Sequence, residues 1–332
     1  MIVMKEAKKN SYWRIDTHVH CRDWGESYKA TIGSVVRLAL SKGIGAVFDM
    51  PNTDPPILGL RDAEKRLRRA EDQGVLKNYY LYIAATPNEK QLEDAVRAYE
   101  ELPKVVGLKL YTAPMKGLEA LSLEEQEVVY RTLSSLGYRG VLAIHCEKHS
   151  LFRETLWDPL KPYTWNLARP PEAEVKCIEN QISLAKKHGF KGTLYIVHIS
   201  TKEGVEIVRR ARNEGIRIVC GVTPHHIIYD TDHMRTPESV VLKTNPPIRD
   251  PTTARALLRL SIEGSVDFLE TDHAPHSPQE KTGPPYLSGN RSLEIYEIAV
   301  NMLIRSEASE KTIYMLTRGN AESIFKKLDG ID

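Results

Sequence analysis

The chain has 332 residues, of which 27% are charged and 41% are hydrophobic, the composition of a folded protein with a substantial core. Its 46 basic and 44 acidic residues give a net charge of +2. Neither kind collects in a block, so no nucleic-acid partner is expected. No stretch approaches the 18 apolar residues of a membrane span, and the N-terminal residues lack the apolar run of a signal peptide. We therefore expect a cytoplasmic protein that does not contact membranes.

The four cysteines show no paired C-x-x-C spacing; they are Cys21, Cys146, Cys177 and Cys220. A zinc ribbon or a disulfide framework is therefore not expected. Reduced thiols that pack in the core are the favoured interpretation.

Short apolar or β-branched runs alternate with longer amphipathic segments through almost the whole chain. The runs predict eight strands, at 13–18, 44–50, 78–85, 105–111, 140–146, 192–199, 216–222 and 266–271. Between them, three- and four-residue apolar spacing predicts helices at 28–42, 61–74, 90–102, 122–136, 172–188, 202–214 and 251–263. Near-continuous apolar strands separated by helices indicate a parallel sheet covered on both faces.

Eight parallel strands are the number that closes a (β/α)₈ barrel, the TIM-type α/β fold. An open doubly wound sheet is the alternative, but the sequence lacks the glycine-rich phosphate turn that would favour it. The stretch 274–290, rich in Pro, Gly and Ser, predicts a long loop after the eighth strand, and 291–328 predicts two or three further helices. We find no internal repeat or long linker, so residues 1–332 are expected to form one domain.

Reactive side chains fall at or just past the ends of the predicted strands. Eight of the eleven histidines do so, namely His18, His20, His145, His198, His225, His226, His273 and His276. A barrel would bring these strand ends to one face. Taken singly, an H-x-H pair is more often incidental and a lone aspartate often caps a helix. Together, five residues at the ends of strands one, five, six and eight predict a metal centre: His18, His20, His145, His198 and Asp272.

Lys109 is the most informative single residue, because it stands inside the apolar run VVGLKLY. A charged ammonium that faces a barrel interior is costly. In one interpretation it reaches the rim or pairs with an acid. In the other, burial lowers its pKa and the neutral amine reacts with carbon dioxide, giving an anionic carbamate that bridges two metal ions. The neighbouring metal-ligand candidates favour the second interpretation.

Eight motifs together carry a resemblance to a known family. They are IDTHVHCRD (15–23), DMPNTDPP (49–56), GLKLY (107–111), IHCE (144–147), VHIS (197–200), VTPHH (222–226), KTNPPIRD (243–250) and TDHAPH (271–276). The motifs occur in the same order as in the amidohydrolase superfamily. The sequence resembles this superfamily and, within it, the dihydroorotases. The H-x-H and T-D-H motifs are common to the superfamily. The motifs H-x-H-x-R-D, M-P-N-T and N-P-P-I-R-D together are much more specific to dihydroorotases.

The resemblance implies a role for each matching residue. His18, His20 and Asp272 would hold the more buried of two zinc ions, and His145 and His198 the second. Carbamylated Lys109 would bridge the two ions. The substrate carboxylate would be bound by Arg22, Asn52 and His276, and Asn245 would contact the pyrimidine ring.

The sequence departs from the family pattern at two positions. Trp24 replaces the usual proline of R-D-P-G, and this bulky ring is expected to narrow the pocket or redirect Arg22. Gly221 stands where many relatives carry a glutamate that some of them use in an additional metal site, so no third metal is expected. The chain is also shorter than most dihydroorotases of this motif style, and we expect little or no accessory β-sandwich.

The activity implied is the reversible hydrolysis of dihydroorotate to N-carbamoyl-aspartate in de novo pyrimidine biosynthesis, with Asp272 as the catalytic acid-base group. A hydantoinase or allantoinase that shares the metal site is one alternative, against which Arg22 and N-P-P-I-R-D argue. A catalytically silent partner of aspartate carbamoyltransferase is another, against which the complete ligand set argues. The expected partners are a small-molecule substrate, aspartate carbamoyltransferase, and a second copy in a homodimer.

Overall fold

The computed structural model of the protein describes residues 13–115 and 117–328. Its eight strands are β1 (Arg14–Val19), β2 (Ile44–Asp49), β3 (Tyr79–Ala84), β4 (Val105–Tyr111), β5 (Val141–His145), β6 (Thr193–Ile196), β7 (Ile218–Val222) and β8 (Phe268–Leu269). Each strand pairs in parallel with the next one along the chain. A parallel bridge between Val19 and His273, with a hydrogen bond from the Asp272 amide to the His18 carbonyl, connects the last strand to the first. The predicted (β/α)₈ barrel is confirmed.

Helices surround this sheet and follow the strands in turn. They are α1 (Ile32–Ser41), α2 (Leu60–Asp72), α3 (Glu89–Glu101), α4 (Leu123–Ser135), α5 (Trp165–Ala168), α6 (Pro171–Lys187), α7 (Lys202–Asn213), α8 (Pro224–Ile228), α9 (Pro251–Ile262), α10 (Pro278–Thr282), α11 (Tyr296–Arg305), α12 (Glu310–Tyr314) and α13 (Asn320–Ile324). Five of the long helices begin at a side-chain N-cap: Thr31, Asn88, Ser122, Thr201 and Asp250. All seven helices predicted between the strands are present.

Smaller elements complete the description. Short 3₁₀ helices lie at Leu76–Asn78, His149–Leu151, Glu154–Leu156, Pro162–Thr164, Thr231–Met234, Pro237–Leu242 and Ser292–Ile295. A π-helical turn, Met315–Gly319, joins α12 to α13. The predicted loop 274–290 is interrupted by α10, because Ser277 and Glu280 form a capping box that starts a single helical turn.

Strand residues alternate between an outer core beneath the helices and an inner core inside the barrel. On β5, Leu142 and Ile144 pack in the outer core, whereas Val141 and Ala143 pack in the inner one. The period of two is the ordinary one for strand side chains. On β4, Leu108 and Leu110 face the helices, so Lys109 between them faces the barrel interior.

The amino-terminal end of the barrel is filled by aromatic side chains. Phe325, just beyond α13, enters it with its ring centroid 4.9 Å from that of Phe48 and 6.0 Å from that of Phe268. Asn320 anchors this segment by donating to the Asp267 carbonyl oxygen at 2.8 Å. This end of the barrel is therefore closed, and the open end is the one at which the strands finish.

Two further sequence expectations concern the whole chain. The four cysteines are buried and unpaired, as expected. Among the described residues, no helix is both long and apolar enough to cross a membrane.

Candidate active site

The carboxyl-terminal ends of the strands surround a cavity of about 420 Å³. All ten predicted site residues line it: His18, His20, Arg22, Asn52, Lys109, His145, His198, Asn245, Asp272 and His276. Parallel strands bring residues that are distant in sequence to one end of the barrel. The cavity is therefore the candidate active site.

His18, His20 and Asp272 form one group of potential ligands where β1 meets the end of β8. The Asp272 Oδ1 atom is 3.3 Å from His18 Nε2 and 3.0 Å from His20 Nε2. One ligand atom from each side chain lies within 4.8 Å of the others. Two imidazole nitrogens and a carboxylate oxygen around one point are a donor set that suits Zn²⁺.

His145 and His198 form the second group, at the ends of β5 and β6. His145 Nδ1 is 2.9 Å from His198 Nε2, and the other ring nitrogen of His145 is 2.8 Å from Glu147 Oε2. Arg169 donates hydrogen bonds to both oxygens of Glu147. Burial opposes ionisation of Glu147, but Arg169 and the hydrogen bond from His145 lower its pKa to about 2. Because this carboxylate accepts the Nε2 proton of His145, Nδ1 presents its lone pair to the cavity.

Lys109 lies between these two groups. It is fully buried, and its Nζ has no hydrogen-bond partner among the described residues. Burial lowers its pKa to about 7, against the opposing effect of nearby carboxyl groups. Its charge in turn contributes to lowering the pKa of His18, His145 and His198, in each of which burial is the largest cause. These imidazoles are therefore neutral at pH 7, the state in which histidine binds metals.

Arg22 enters the other side of the cavity from the loop after β1. Its Nε donates to the Pro275 carbonyl oxygen at 3.1 Å, and its Nη2 is 3.0 Å from His276 Nε2. Arg66 holds the backbone by donating to the Arg22 carbonyl oxygen at 2.7 Å. Burial, followed by the positive charge of Arg22, lowers the pKa of His276 to about 3. The guanidinium thus stands beside a neutral imidazole.

Two asparagines complete this side of the cavity. Asn52, which follows β2, accepts a hydrogen bond from the Tyr111 hydroxyl at 2.9 Å through its Oδ1. Asn245 accepts from Trp165 Nε1 at 3.1 Å through its Oδ1. In both side chains the oxygen is engaged by the protein, so the amide nitrogen is the atom that can donate to a ligand.

Trp24 does not line the cavity. Its ring packs against Arg66, whose guanidinium carbon lies 4.7 Å from the ring centroid. The expectation that this ring narrows the pocket is therefore wrong, because the chain turns away at this point. Trp24, Asp23 and Arg22 all have positive φ values, between 47° and 66°.

Left-handed backbone is concentrated around this cavity. Of the seven non-glycine residues with positive φ in the described parts of the chain, six line the cavity or belong to its loop: Arg22, Asp23, Trp24, His198, Asp272 and Tyr286. Such backbone is costly for residues with a Cβ and persists where the surrounding structure holds it. Two of the proposed metal ligands and the proposed carboxylate-binding arginine are thus held in strained conformations.

Sequence reasoning assigned no role to three buried charged residues near the ligands. Glu147 lies two residues after His145, a strand spacing that could have identified it. Glu270 interrupts an apolar run much as Lys109 does. Arg169 follows the short helix α5, and no local pattern identifies it. The remaining strand-end histidines bind other parts of the protein: His225 lies against Ser292, His226 against Pro246, and His273 against the amide of Leu293.

No model of a known protein family matches the chain, but curated proteins do. A protein named dihydroorotase from Pyrobaculum aerophilum is 32% identical over 281 residues, which cover 85% of this chain and 64% of that one. A dihydroorotase from Lactobacillus helveticus is 31% identical over 272 residues, which cover 81% of this chain and 61% of that one. The chain therefore spans less than two thirds of the length of these relatives.

Solved structures show the same barrel. The L-hydantoinase (dihydropyrimidinase) from Arthrobacter aurescens matches with a TM-score of 0.83 at 22% identity, covering 94% of this chain and 70% of that one. The D-hydantoinase (dihydropyrimidinase) from Thermus sp. matches with a TM-score of 0.77 at 20% identity over the same shares. At these identities the likeness establishes the fold alone. The sequence matches go further: over more than four fifths of its length the chain is similar to curated proteins named dihydroorotase.

Proposed function

We propose that the chain is a metal-dependent dihydroorotase, which adds water to the cyclic amide of dihydroorotate and gives N-carbamoyl-aspartate, reversibly. The observation that carries the proposal is one cavity that His18, His20 and Asp272 line together with Arg22. A set of metal donors beside a buried guanidinium fits a cyclic amide that bears a carboxylate. The homology to curated dihydroorotases supports the same substrate.

The proposed metal centre holds two zinc ions. His18, His20 and Asp272 would hold one, and His145 and His198 the other. The pKa of Lys109, lowered to about 7, makes its neutral amine available to react with carbon dioxide, which would release one proton and give a carbamate, an anionic ligand available to both groups. When bound, such a metal pair lowers the pKa of a bound water molecule and polarises an amide carbonyl.

Asp272 is the proposed proton carrier. Its Oδ1 faces the two imidazoles of the first ligand group, so we assign the transferred proton to Oδ2. In the hydrolytic direction Asp272 accepts a proton from water and returns it to the ring nitrogen that leaves the carbonyl carbon. The biosynthetic direction reverses these steps.

Substrate orientation is assigned to the other side of the cavity. The planar fork of Arg22 can donate two parallel hydrogen bonds to the carboxylate. The Asn52 amide nitrogen and His276 would complete the carboxylate site, and the Asn245 amide nitrogen would contact the ring carbonyl. Hydantoin and allantoin carry no such carboxylate, so these contacts favour dihydroorotate over them.

The deciding experiment combines a substrate panel with metal analysis of the purified protein. Dihydroorotate and N-carbamoyl-aspartate should both be turned over, with one to two zinc ions per chain. Turnover of hydantoin or allantoin without dihydroorotate would make the chain a different cyclic-amide hydrolase. Bound metal without any turnover would favour the silent partner of aspartate carbamoyltransferase.

The cellular setting is part of the same proposal. A dihydroorotase acts in pyrimidine biosynthesis, and the four unpaired buried cysteines suit the reducing cytoplasm. Residues 1–332 are proposed to form one catalytic domain. Light scattering tests the expected homodimer, and co-purification tests association with aspartate carbamoyltransferase.

A further inference from the structure

A carboxyl group lies beneath the two ligand groups, inside the barrel. Glu270 directly follows β8 and is fully buried. Its oxygens accept hydrogen bonds from the His198 amide and the Tyr195 hydroxyl, and from the Thr17 hydroxyl at 3.4 Å. A carboxyl group is costly to bury unless donors meet it, and here three do. The proposed metal ligands and substrate contacts make no use of Glu270.

Glu270 approaches the first ligand group at its unused nitrogen. Its Oε2 is 3.7 Å from His18 Nδ1, whereas His18 Nε2 is the nitrogen that faces Asp272. In the described residues His18 Nδ1 has no hydrogen-bond partner. A histidine that binds metal through Nε2 carries its proton on Nδ1 and normally donates it to a carboxylate or carbonyl oxygen. A ring movement of about 0.7 Å would bring the two atoms to ordinary hydrogen-bond distance.

Glu270 holds the second ligand group through its backbone. His198 has a φ of 41°, which a residue with a Cβ adopts only where its surroundings hold it. The hydrogen bond from the His198 amide to Glu270 Oε1 provides such a contact. One carboxyl group therefore contacts a residue from each of the two ligand groups.

Gly221 on β7 provides the space for this carboxyl group. A Cβ at position 221 would lie 2.6 Å from both the carboxyl carbon and Oε1 of Glu270, closer than real atoms approach. Space is the reason for the glycine, because Gly221 is not among the residues with positive φ. A larger side chain at 221 would meet Glu270 in the same volume.

We propose that Glu270 is a positioning residue of the metal centre, which orients His18 through Nδ1 and His198 through its backbone amide, and that Gly221 is the position that admits it. The inference rests on the proposed metal-dependent function. Glu270 acts through the histidines, and Gly221 acts through Glu270.

Cobalt binding tests the proposal without substrate. Metal-free protein is titrated with Co²⁺, and binding is followed by visible absorption and by competition with a chelator. Glu270→Ala should weaken Co²⁺ binding by about 10- to 100-fold and alter the absorption spectrum. Glu270→Gln, which keeps the volume and one acceptor oxygen, should fall between this variant and the wild type.

Gly221 provides an independent arm of the test. Gly221→Ala should also weaken Co²⁺ binding, because the added methyl group displaces the carboxyl group. In the double variant Gly221→Ala/Glu270→Ala, the affinity should equal that of Glu270→Ala alone, since no carboxyl group is left to displace.

Asp267→Asn is the matched control. This carboxyl group precedes β8 and binds Arg212 and the Cys220 amide rather than the histidines, so its loss should lower Tm and leave Co²⁺ binding unchanged. Wild-type Co²⁺ affinity and spectrum in folded Glu270→Gln and Glu270→Ala would overturn the positioning role, as would additive losses in the double variant. If the wild-type protein itself binds no Co²⁺, the proposed metal-dependent function is overturned as well. If the wild type binds Co²⁺ and the variants bind it equally well, only the positioning role is overturned.

Discussion

The two ends of the barrel interior are built in opposite ways. At the amino-terminal end, aromatic rings from four strands and from Phe325 pack against one another, with centroids 4.9 to 6.4 Å apart between Phe325 and its neighbours. At the carboxyl-terminal end the interior is polar. Four buried nitrogens of cavity-lining side chains, His18 Nδ1, Lys109 Nζ, His198 Nδ1 and His276 Nδ1, have no hydrogen-bond partner in the parts of the chain that the structure describes.

The amino-terminal end of the barrel interior therefore contributes mainly to stability, and the carboxyl-terminal end to ligand binding and chemistry. Aromatic burial stabilises the fold and requires no ligand. Buried polar atoms without partners cost free energy, and a ligand that binds them recovers it. Tyr195 lies at the boundary, since its ring packs on Phe268 and its hydroxyl binds Glu270. Substitutions at the open end should therefore affect activity most, and substitutions at the closed end should affect stability most.

Asp272→Asn should have the largest effect on activity. The amide keeps the shape of the side chain but removes both the proposed anionic ligand and the proposed proton acceptor. We expect turnover of dihydroorotate to fall by at least about 10⁴-fold, or about 5 kcal/mol at 1.36 kcal/mol per tenfold. The thermal unfolding of the metal-free protein should hardly change. Asp267→Asn is the control, and full activity of a chelated preparation would contradict the metal requirement.

Lys109→Ala should lower turnover nearly as much, because it removes the proposed bridge between the two ligand groups. We expect the loss of at least one zinc ion and a fall in turnover of about 10³-fold, or about 4 kcal/mol. Added acetate or propionate should restore part of the activity by entering the space of the carbamate. Carbon-13 NMR after incubation with labelled bicarbonate checks the carbamate directly. An unmodified Lys109 in fully metal-loaded, active protein would refute the bridging role.

Phe325→Ala tests the closed end. Truncating a buried phenylalanine typically lowers the free energy of unfolding by about 3–5 kcal/mol, which urea denaturation should detect. Zinc content and kcat/KM of the folded variant should match the wild type. Phe325→Leu, which refills most of the volume, should recover much of the stability. A loss of metal affinity in Phe325→Ala would mean that the two ends are coupled.

Arg22→Ala should have a smaller effect that depends on the substrate. Removing one partner of a buried charge pair costs about 2–5 kcal/mol, so kcat/KM for dihydroorotate should fall by roughly 30-fold or more. Any residual activity on hydantoin, which lacks the carboxylate, should hardly change. Arg22→Lys, which keeps the charge but loses the planar fork, should recover only part of the activity. Equal losses on both substrates would place Arg22 outside the carboxylate site.

Much of the barrel is predictable from the sequence, because near-continuous apolar strands and amphipathic helices differ in period. Lys109 is detectable for the same reason, since a charged residue inside an apolar strand requires an explanation. Arg169 is not detectable. It reaches Glu147, 22 residues earlier in the chain, only through the tertiary structure. The same applies to Phe325, which enters the barrel although the sequence around it predicts only a terminal helix.

The loop that presents Arg22 shows a second limit of sequence reasoning. The sequence predicts that the bulky ring of Trp24, two residues from Arg22, narrows the pocket or redirects Arg22. Three consecutive residues with positive φ reverse the chain there, and a run of left-handed backbone without glycine is not predictable from the residue types. The ring therefore packs on Arg66, which also donates to the Arg22 carbonyl oxygen.

Trp24→Ala is expected to have the smallest effect on activity. It removes a contact between an aromatic ring and a buried guanidinium, which is worth up to about 2 kcal/mol, so the free energy of unfolding should fall by about 1–2 kcal/mol. Arg66 would keep its hydrogen bonds to Asp49 and to the Arg22 backbone. The KM for dihydroorotate should therefore stay within about 3-fold of the wild type, well short of the 30-fold loss expected for Arg22→Ala. Trp24→Phe, which keeps a ring over Arg66, is the matched control and should recover most of the stability. A rise in KM above 10-fold with unchanged stability would mean that Trp24 shapes the substrate pocket directly. If Trp24 acts only through its contact with Arg66, its removal should lower the free energy of unfolding and leave substrate binding nearly unchanged.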